Sequence, residues 1–148
     1  MGKFDLNYNV CDNEGNTYLH YAIFRENSDL CKLLLHTMSD EFINKQNDAG
    51  KNVLHYAISR DLDLCKILLN KMSPDSVNEI DNKGNTLLHN VLLRNYSWSD
   101  TYVLEAFEFF LPKMSKEAIN AVNKNGQTLL HLAIDEDHPN IVELLMNN

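Results

Sequence analysis

The sequence predicts an all-α solenoid of helix-turn-helix units joined by β-turn or hairpin loops. A nine-residue pattern, Asp-Asn-Lys-Gly-Asn-Thr-Leu-Leu-His in its clearest copy, recurs in related form at residues 12–20, 47–55, 81–89 and 123–131. The glycines of these copies lie 35, 34 and 42 residues apart, and a period of roughly 20–50 residues is typical of repeat architectures. Apolar residues at helical spacing follow each copy. These three observations predict four tandem units that share one core.

The composition excludes several classes of protein. The 148 residues are 44% hydrophobic and 23% charged, as in an ordinary globular domain. The net charge of −8 argues against non-specific nucleic-acid binding, which needs a basic surface. No apolar run reaches the ~20 residues that span a bilayer, and the first residues do not resemble a secretory leader. We therefore expect a cytoplasmic protein with neither a nucleic-acid nor a membrane partner.

The cysteines indicate buried side chains. Three is an odd number, so they cannot all pair in disulfides. Cys31 and Cys65 occupy the same position in two repeats, each among apolar residues at helical spacing. We expect both to be small buried residues and not reactive thiols.

The spacing places the repeat boundaries. Asn9 precedes Gly15 by six residues, as an asparagine precedes the glycine in each later repeat. Phe4, Leu6 and Tyr8 are then placed to cover the apolar side of the first full repeat. We expect a single domain over 1–148, with an N-terminal cap at 1–8 and repeats at about 9–43, 44–77, 78–119 and 120–148.

Each repeat opens with an Asp/Asn-x-x-Gly turn, because Asn and Asp bond their own backbone and Gly accepts positive φ. A short inner helix follows, such as 17–25, with Thr17 suited to the N-cap or the first turn. The small side chains of Ala22, Ala57 and Ala133 allow neighbouring helices to approach closely. More apolar outer helices are predicted at 30–35, 64–69, 103–111 and 141–146.

A seven-residue pattern that begins with Met-Ser follows three of the outer helices, at 38–44, 72–78 and 114–120. Serine is a preferred N-cap, proline suits the first helical position, and early carboxylates favour the positive end of a helix. We therefore predict an extra short helical turn between each of these outer helices and the next hairpin.

The third repeat carries about seven extra residues, at 95–100 and its neighbours, between its two helices. We expect Asp100 to be the N-cap of the outer helix 101–111 and Pro112 to close that helix. Trp98 is the only tryptophan. We expect it to pin the long loop against the repeat; an exposed binding anchor is the alternative.

The order Asp-x-x-Gly-x-Thr-x-Leu-His-x-Ala resembles the ankyrin repeat, a β-turn plus two antiparallel helices of about 33 residues, over nearly the whole chain. The family's Thr-Pro becomes Thr17-Tyr18, Asn52-Val53, Thr86-Leu87 and Thr128-Leu129, and a serine-capped segment replaces its Gly-Ala-Asp-Val-Asn linker. Such variants are similar in style to ankyrin proteins of intracellular bacteria and viruses. The resemblance to the ankyrin repeat implies a protein-interaction module. The similarity to the repeats of intracellular bacteria and viruses implies a host-directed effector or inhibitor in the host-cell cytosol.

Histidines at 20, 55, 89 and 131 recur at one position of the repeat and raise the question of a metal site. Packed helices lie ~8–10 Å apart, whereas Zn–N bonds are about 2.0–2.1 Å, so successive histidines cannot share one ion. The resemblance implies instead that these histidines bond turn backbone. The acidic run 135–137 is expected to be solvated, and no phosphate loop or nucleophile signature is present. We expect no enzymatic activity, metal or cofactor.

In ankyrin proteins the hairpin tips and inner-helix ends supply partner contacts, and solenoids bind on a concave face. Arg25, Arg60 and Arg94 share one register position at the inner-helix ends, and arginines are enriched at interface hot spots; three solvated arginines are the alternative. We expect a monomeric module that binds another protein through Asn13, Glu14, Phe24, Arg25, Asp48, Lys51, Arg60, Lys83, Leu93, Arg94 and Trp98. The alternative function is that of a targeting segment in a larger protein whose enzymatic domain lies outside this chain.

Overall fold

Helices form nearly all of the regular structure in residues 4–93 and 99–147, which are the residues that the computed structural model describes. No β-sheet forms in these two ranges, where an isolated antiparallel bridge joins Cys11 and Thr17. The prediction of an all-α fold is therefore confirmed. The α-helices are α1 (Tyr18–Phe24), α2 (Ser28–Thr37), α3 (Asp40–Ile43), α4 (Val53–Ala57), α5 (Leu62–Leu69), α6 (Leu87–Leu93), α7 (Asp100–Phe110), α8 (Lys116–Ile119), α9 (Leu129–Asp135) and α10 (Pro139–Met146).

The chain folds as two compact units, Met1–Ser76 and Val77–Asn148. In the first unit, α1 packs against α2 and α4, while α5 packs against α4 and α2. The inner helices α1 and α4 therefore form one layer and the outer helices α2 and α5 another. Fully buried side chains of this unit include Leu19, Ile23, Leu54 and Leu68.

The second unit repeats this arrangement with larger side chains. The inner helices α6 and α9 pack against each other, and the outer helices α7 and α10 pack against them and against each other. The outer helix α7 supplies two phenylalanines to the core. Fully buried side chains of this unit include Leu88, Leu92, Phe107, Phe110 and Leu129.

The short helical turns predicted after three of the outer helices are confirmed. They are α3, the 3-10 turn Pro74–Asn78 and α8. Ser39 Oγ accepts the backbone N–H of Phe42, and Ser115 Oγ accepts that of Ala118. The serines therefore act as N-caps, as expected from their preference for this position.

The asparagine that opens each of the first three repeats binds the end of the same repeat. The three bonds run from the backbone N–H of the Met-Ser serine to the asparagine Oδ1. They join Ser39 to Asn9 at 2.8 Å, Ser73 to Asn44 at 2.8 Å, and Ser115 to Asn78 at 2.7 Å. This bond closes the first two repeats across 29 or 30 residues, and it holds each hairpin in a fixed position relative to the outer helix.

The start of α7 differs from the prediction. Ser99, and not Asp100, is the N-cap, because Ser99 keeps an extended backbone at φ −62° and ψ 143° while its side chain accepts the N–H of Tyr102. The helix therefore includes Asp100. The predicted closure is confirmed, since α7 ends at Phe110 and Pro112 lies in the 3-10 turn that follows.

Two further differences concern the ends of elements. The side chains of Asn27 and Asp61 accept backbone N–H groups at the starts of α2 and α5, so both helices begin two residues before their predicted apolar segments. In the predicted N-terminal cap, Phe4 and Leu6 are mostly exposed. These two side chains therefore give little cover to the first repeat.

Gly15 and Gly126 share one turn position and one left-handed backbone, with φ of +78° and +77°, but differ in their surroundings. A Cβ at Gly15 would lie 2.8 Å from Asp48 Oδ1 and 3.0 Å from the Asp48 nitrogen, whereas a Cβ at Gly126 would meet no atom within 4 Å. We expect Gly126→Ala to lower the free energy of unfolding by about 1–2 kcal/mol for the left-handed backbone alone. We expect Gly15→Ala to lower the free energy of unfolding by the same amount and by about 1–3 kcal/mol more, because its Cβ would overlap Asp48. Urea unfolding of both variants measures this difference, and equal losses would contradict the predicted overpacking.

Candidate functional site

The recurring histidines hold the hairpins and inner helices together. His20 Nδ1 accepts the backbone N–H of Thr17 at 3.1 Å, while Thr17 Oγ1 accepts the N–H of His20, which forms a capping box. His20 Nε2 lies 3.2 Å from the carbonyl oxygen of Lys51 in the next hairpin. Because Nδ1 accepts a hydrogen bond, Nε2 carries the proton and donates it to that carbonyl. The predicted bond from histidine to turn backbone is thus confirmed for His20.

His89 repeats this arrangement in the second unit. Its Nδ1 accepts the N–H of Thr86 at 3.2 Å, and its Nε2 lies 3.2 Å from the carbonyl oxygen of Gln127. Burial lowers the pKa of both His20 and His89, although the carbonyl that each contacts acts in the opposite direction. Residues 4–93 and 99–147 contain no group of three His, Cys, Asp or Glu side chains that could hold a metal ion.

The hairpin tips of neighbouring repeats are joined by amide and backbone bonds within each unit. In the first unit, Asn47 Nδ2 donates to Asn16 Oδ1 at 2.8 Å, and the Asp48 N–H donates to the Glu14 carbonyl oxygen at 2.9 Å. The second unit has the same two bonds at its own hairpins. They join Asn123 Nδ2 to Asn85 Oδ1 at 2.9 Å, and the Lys124 N–H to the Lys83 carbonyl oxygen at 2.9 Å.

An aromatic cluster covers the inner helices of the first unit. The rings of Phe24 and Tyr56 meet edge to face with centroids 4.9 Å apart, and Tyr21 meets Phe24 at 6.0 Å. Tyr21 is 49% exposed, while Phe24 and Tyr56 are more deeply buried. The Lys51 ammonium lies 5.4 Å from the centroid of the Tyr56 ring, within the range of a cation–π contact.

Both tyrosines of this cluster are anchored through their hydroxyl groups. The Tyr21 hydroxyl donates to Asp12 Oδ2 at 2.5 Å, and Asn47 Nδ2 donates to the Tyr56 hydroxyl at 2.8 Å. The bond from Tyr21 lowers the pKa of the Asp12 carboxyl, and the same bond raises the pKa of Tyr21. The rings are therefore held by hydrogen bonds to the hairpins as well as by packing.

An ion pair joins the residues that follow α1 and α4. Arg60 Nη1 is 2.8 Å from Glu26 Oε1, and both side chains are partly in water. Glu26 follows the C-cap Arg25 and has a left-handed backbone, with φ of +54°. Surface pairs of this kind contribute about 0–1 kcal/mol, so the pair orients Arg60 more than it stabilises the fold. We refer to Tyr21, Phe24, Arg25, Tyr56 and Arg60 together as the tyrosine–arginine face.

The structure places most of the predicted binding residues at the surface. Phe24 and Lys51 are half-buried and both contact Tyr56. Arg94 and Trp98 lie outside the described residues. The predicted residues that are exposed are Asn13, Glu14, Arg25, Asp48 and Arg60 in the first unit, and Lys83 and Leu93 in the second.

The sequence interpretation missed Tyr21 and Tyr56. Both directly follow the recurring histidine, and a tyrosine repeated at this position in two repeats was the signal that could have identified them. The second unit has no equivalent pair, because Asn90 and the buried Leu132 occupy this position there. The tyrosine–arginine face is therefore a feature of the first unit.

The cysteines of the outer helices are buried, as predicted. Cys31 and Cys65 are fully buried in α2 and α5. Burial raises the pKa of the Cys31 thiol to about 11 and raises that of Cys65 further above its usual range. Because the thiolate is the reactive form of cysteine, neither residue is suited to act as a nucleophile.

Comparison with known proteins agrees with the repeat architecture. The family model described as "Ankyrin repeats (3 copies)" matches residues 74–148, and the model described as "Ankyrin repeat" matches residues 14–48 and 49–82. A search of curated proteins found no match to this chain. Across the described ranges, no helix is long and apolar enough to cross a membrane. The first of these models covers half of the chain, and with the second the matches run from residue 14 to residue 148. The chain therefore belongs to the ankyrin repeat family.

Proposed function

We propose that this chain binds a partner protein through the tyrosine–arginine face of its first unit and acts by occupying the partner's surface, without catalysis. Ankyrin repeats are generally protein–protein interaction modules and are generally not catalytic. The observation that carries the proposal is the edge-to-face pair of Phe24 and Tyr56. The ring of Tyr21 also contacts Phe24, and the ion pair of Glu26 with Arg60 joins the residues that follow α1 and α4. Tyrosine and arginine are the residue types that are enriched at binding hot spots.

The anchoring of this face supports the proposal. Immobilising a flexible side chain on binding costs about 0.5–1.5 kcal/mol. Tyr21 and Tyr56 are already held by Asp12 and Asn47, and Arg60 is already held by Glu26. A partner would therefore meet side chains that have lost much of their freedom before binding. This reduces the entropic cost of forming the complex.

The hairpin tips extend the proposed surface. Asn13, Glu14 and Asp48 are exposed on hairpins that are joined by backbone and amide bonds. The same hairpins hold Tyr21 and Tyr56 through Asp12 and Asn47. The three exposed residues would supply the polar rim that is usual in a protein interface. Lys83 and Leu93 of the second unit, together with Arg94 and Trp98, remain predicted contributors to partner binding.

The double variant Tyr21→Ala/Arg60→Ala tests this function. A pull-down with mass spectrometry identifies the partner, and calorimetric titration of the purified partner then gives the Kd. We expect the double variant to raise the Kd at least tenfold, because hot-spot truncations cost about 2 kcal/mol or more. We expect a modest fall in the melting temperature, because Tyr21 loses its bond to Asp12 and its contact with Phe24, whereas the surface pair of Arg60 with Glu26 contributes little.

Lys66→Ala is the matched control. It removes an exposed ion pair, that of Lys66 with Asp63 at 3.7 Å, from the outer helix of the same unit. We expect this variant to bind with the affinity of the natural chain. An unchanged Kd in the double variant would move the partner site away from the tyrosine–arginine face.

A further inference from the structure

The fourth repeat exposes the side that the first repeat buries against its neighbour. Ile134 and Met146 are 62% and 72% exposed, whereas Ile23 and Leu35 at the same positions of the first repeat are 0% and 6% exposed. The second repeat covers this side of the first repeat, because α4 packs against α1 and α5 packs against α2. In the fourth repeat an open groove of about 450 Å³ lies along α9 and α10 instead. We call Leu130, Ile134 and Met146 the tail side.

The first repeat exposes the opposite side. Tyr18 is 45% exposed, whereas Val53 and Leu129 at the same position of the second and fourth repeats are fully buried. Leu30 is likewise exposed, while its equivalents in α5 and α10 are buried. These positions are buried in the second and fourth repeats, each of which packs on the preceding repeat of its own unit. We call Tyr18 and Leu30 the head side.

We propose that the tail side of one copy of this chain binds the head side of a second copy, head to tail. The contact would reproduce between copies the packing that joins the two repeats within each unit. Apolar side chains that a single copy leaves in water would be buried, which favours association. The expectation of a monomer that was drawn from the sequence stays the competing prediction.

The charges of the two sides are complementary at the ends of the inner helices. Asp137 in the fourth repeat occupies the position of Glu26 in the first, and both have a left-handed backbone, with φ of +58° and +54°. Glu26 binds Arg60 of the following repeat at 2.8 Å. Arg25 occupies the position of Arg60 in the first repeat. A head-to-tail contact therefore brings Arg25 of the second copy to Asp137 of the first.

The hairpins are complementary as well. Gln127 Oε1 accepts from Asn123 Nδ2 at 3.2 Å, which leaves Gln127 Nε2 to donate outward. The residue that the register places opposite it in the second copy is Asp12, whose carboxylate accepts hydrogen bonds. The space beside Gly126, with no atom within 4 Å of a Cβ, matches the space beside Gly15 that the second hairpin fills.

A contact between two different sides of one molecule is heterologous, and it produces open chains of subunits unless the rotation closes a ring. Association should therefore rise with protein concentration and should not stop at a dimer. Sedimentation velocity of the purified chain over a range of concentrations measures this. A monomer at every concentration would overturn the proposal.

Two single variants separate a head-to-tail contact from a contact between two tail sides. Ile134→Asp disables the tail side, and Tyr18→Asp disables the head side, so we expect each variant alone to remain a monomer. When the two are mixed, the intact head of the first can bind the intact tail of the second, and assembly must stop at dimers. A mixture that contains no dimers would overturn the proposal. Circular dichroism checks that both variants fold. Lys116 is an exposed residue of α8, and we expect the control variant Lys116→Ala to associate like the natural chain.

Charge reversal tests the proposed ion pair. Arg25→Asp and Asp137→Arg should each weaken association about tenfold, because each places like charges opposite one another. Both changes in one chain should restore association, because the pair is re-formed with its charges exchanged. A double variant as weak as either single variant would overturn this pairing of Arg25 with Asp137. The measurement uses the purified chain alone, so its outcome does not depend on the partner-binding function.

Discussion

Replacing Phe107 with alanine is expected to lower the free energy of unfolding by about 3–5 kcal/mol, the usual loss for a fully buried phenylalanine. Phe107 lies in α7 and has no exposed surface. Its removal takes apolar atoms out of the core of the second unit and leaves a cavity that the surrounding helices fill only in part. Urea unfolding measures the loss, and an unchanged m-value would show that the unfolding transition still exposes the same surface.

Phe109→Ala is the matched control for this prediction. Phe109 lies in the same helix but is half-buried, with the Lys113 ammonium 3.9 Å from its ring centroid and the ring of Phe110 at 5.0 Å. We expect Phe109→Ala to cost about 1–2 kcal/mol, the sum of a cation–π contact and an aromatic pair near the surface. Equal losses in the two variants would mean that α7 does not present Phe107 to the core.

The sequence predicted the features of the fold that repeat and depend on local residues. The hairpin glycines, the inner and outer helices and the serine-capped turns each follow from residues within a few positions of one another. The start of α7 shows the limit of such prediction. Ser99 and Asp100 are both good N-caps, and the choice between them depends on the backbone of Ser99, which the sequence does not reveal.

The candidate site was less predictable because its contacts join distant residues. Arg60 was correctly placed at the end of an inner helix, but its partner Glu26 lies 34 residues away. Tyr56 belongs to the site because its ring contacts Phe24 of the preceding repeat and its hydroxyl accepts a hydrogen bond from Asn47 in the hairpin. A register argument identifies which positions are exposed, but it does not identify which side chains meet there.

Acidification is expected to destabilise the fold through His20 and His89. Both are fully buried, both donate Nε2–H to a carbonyl oxygen, and burial lowers the pKa of each. Above about pH 6.5, the ordinary histidine value, the two side chains are neutral in the folded and unfolded chains alike. Below that pH the unfolded chain takes up protons that the folded chain excludes. The free energy of unfolding therefore falls as the pH falls, until the lowered pKa of the folded state is reached.

The steepness of this loss identifies the groups responsible. One proton taken up on unfolding changes the free energy of unfolding by about 1.4 kcal/mol per pH unit. Two histidines therefore give a slope of up to about 2.7 kcal/mol per pH unit. Urea unfolding between about pH 7 and 5 measures it, within a range that lies above the titration of ordinary carboxylates. The bond from Tyr21 lowers the pKa of the Asp12 carboxyl. Asp12 therefore loses its contribution to the free energy of unfolding only when the pH falls below that range.

The variant His20→Gln/His89→Gln separates the titration of these histidines from their structural role. Glutamine at the third position of a helix completes a capping box with the N-cap threonine, and its side-chain amide can donate to the same carbonyl, but it does not titrate. We expect the double variant to stay folded and to lose most of the dependence of its stability on pH. His131→Gln is the control for the substitution itself, because His131 forms the same capping box while exposed to water. If the double variant kept the full dependence, the acid sensitivity would belong to other groups.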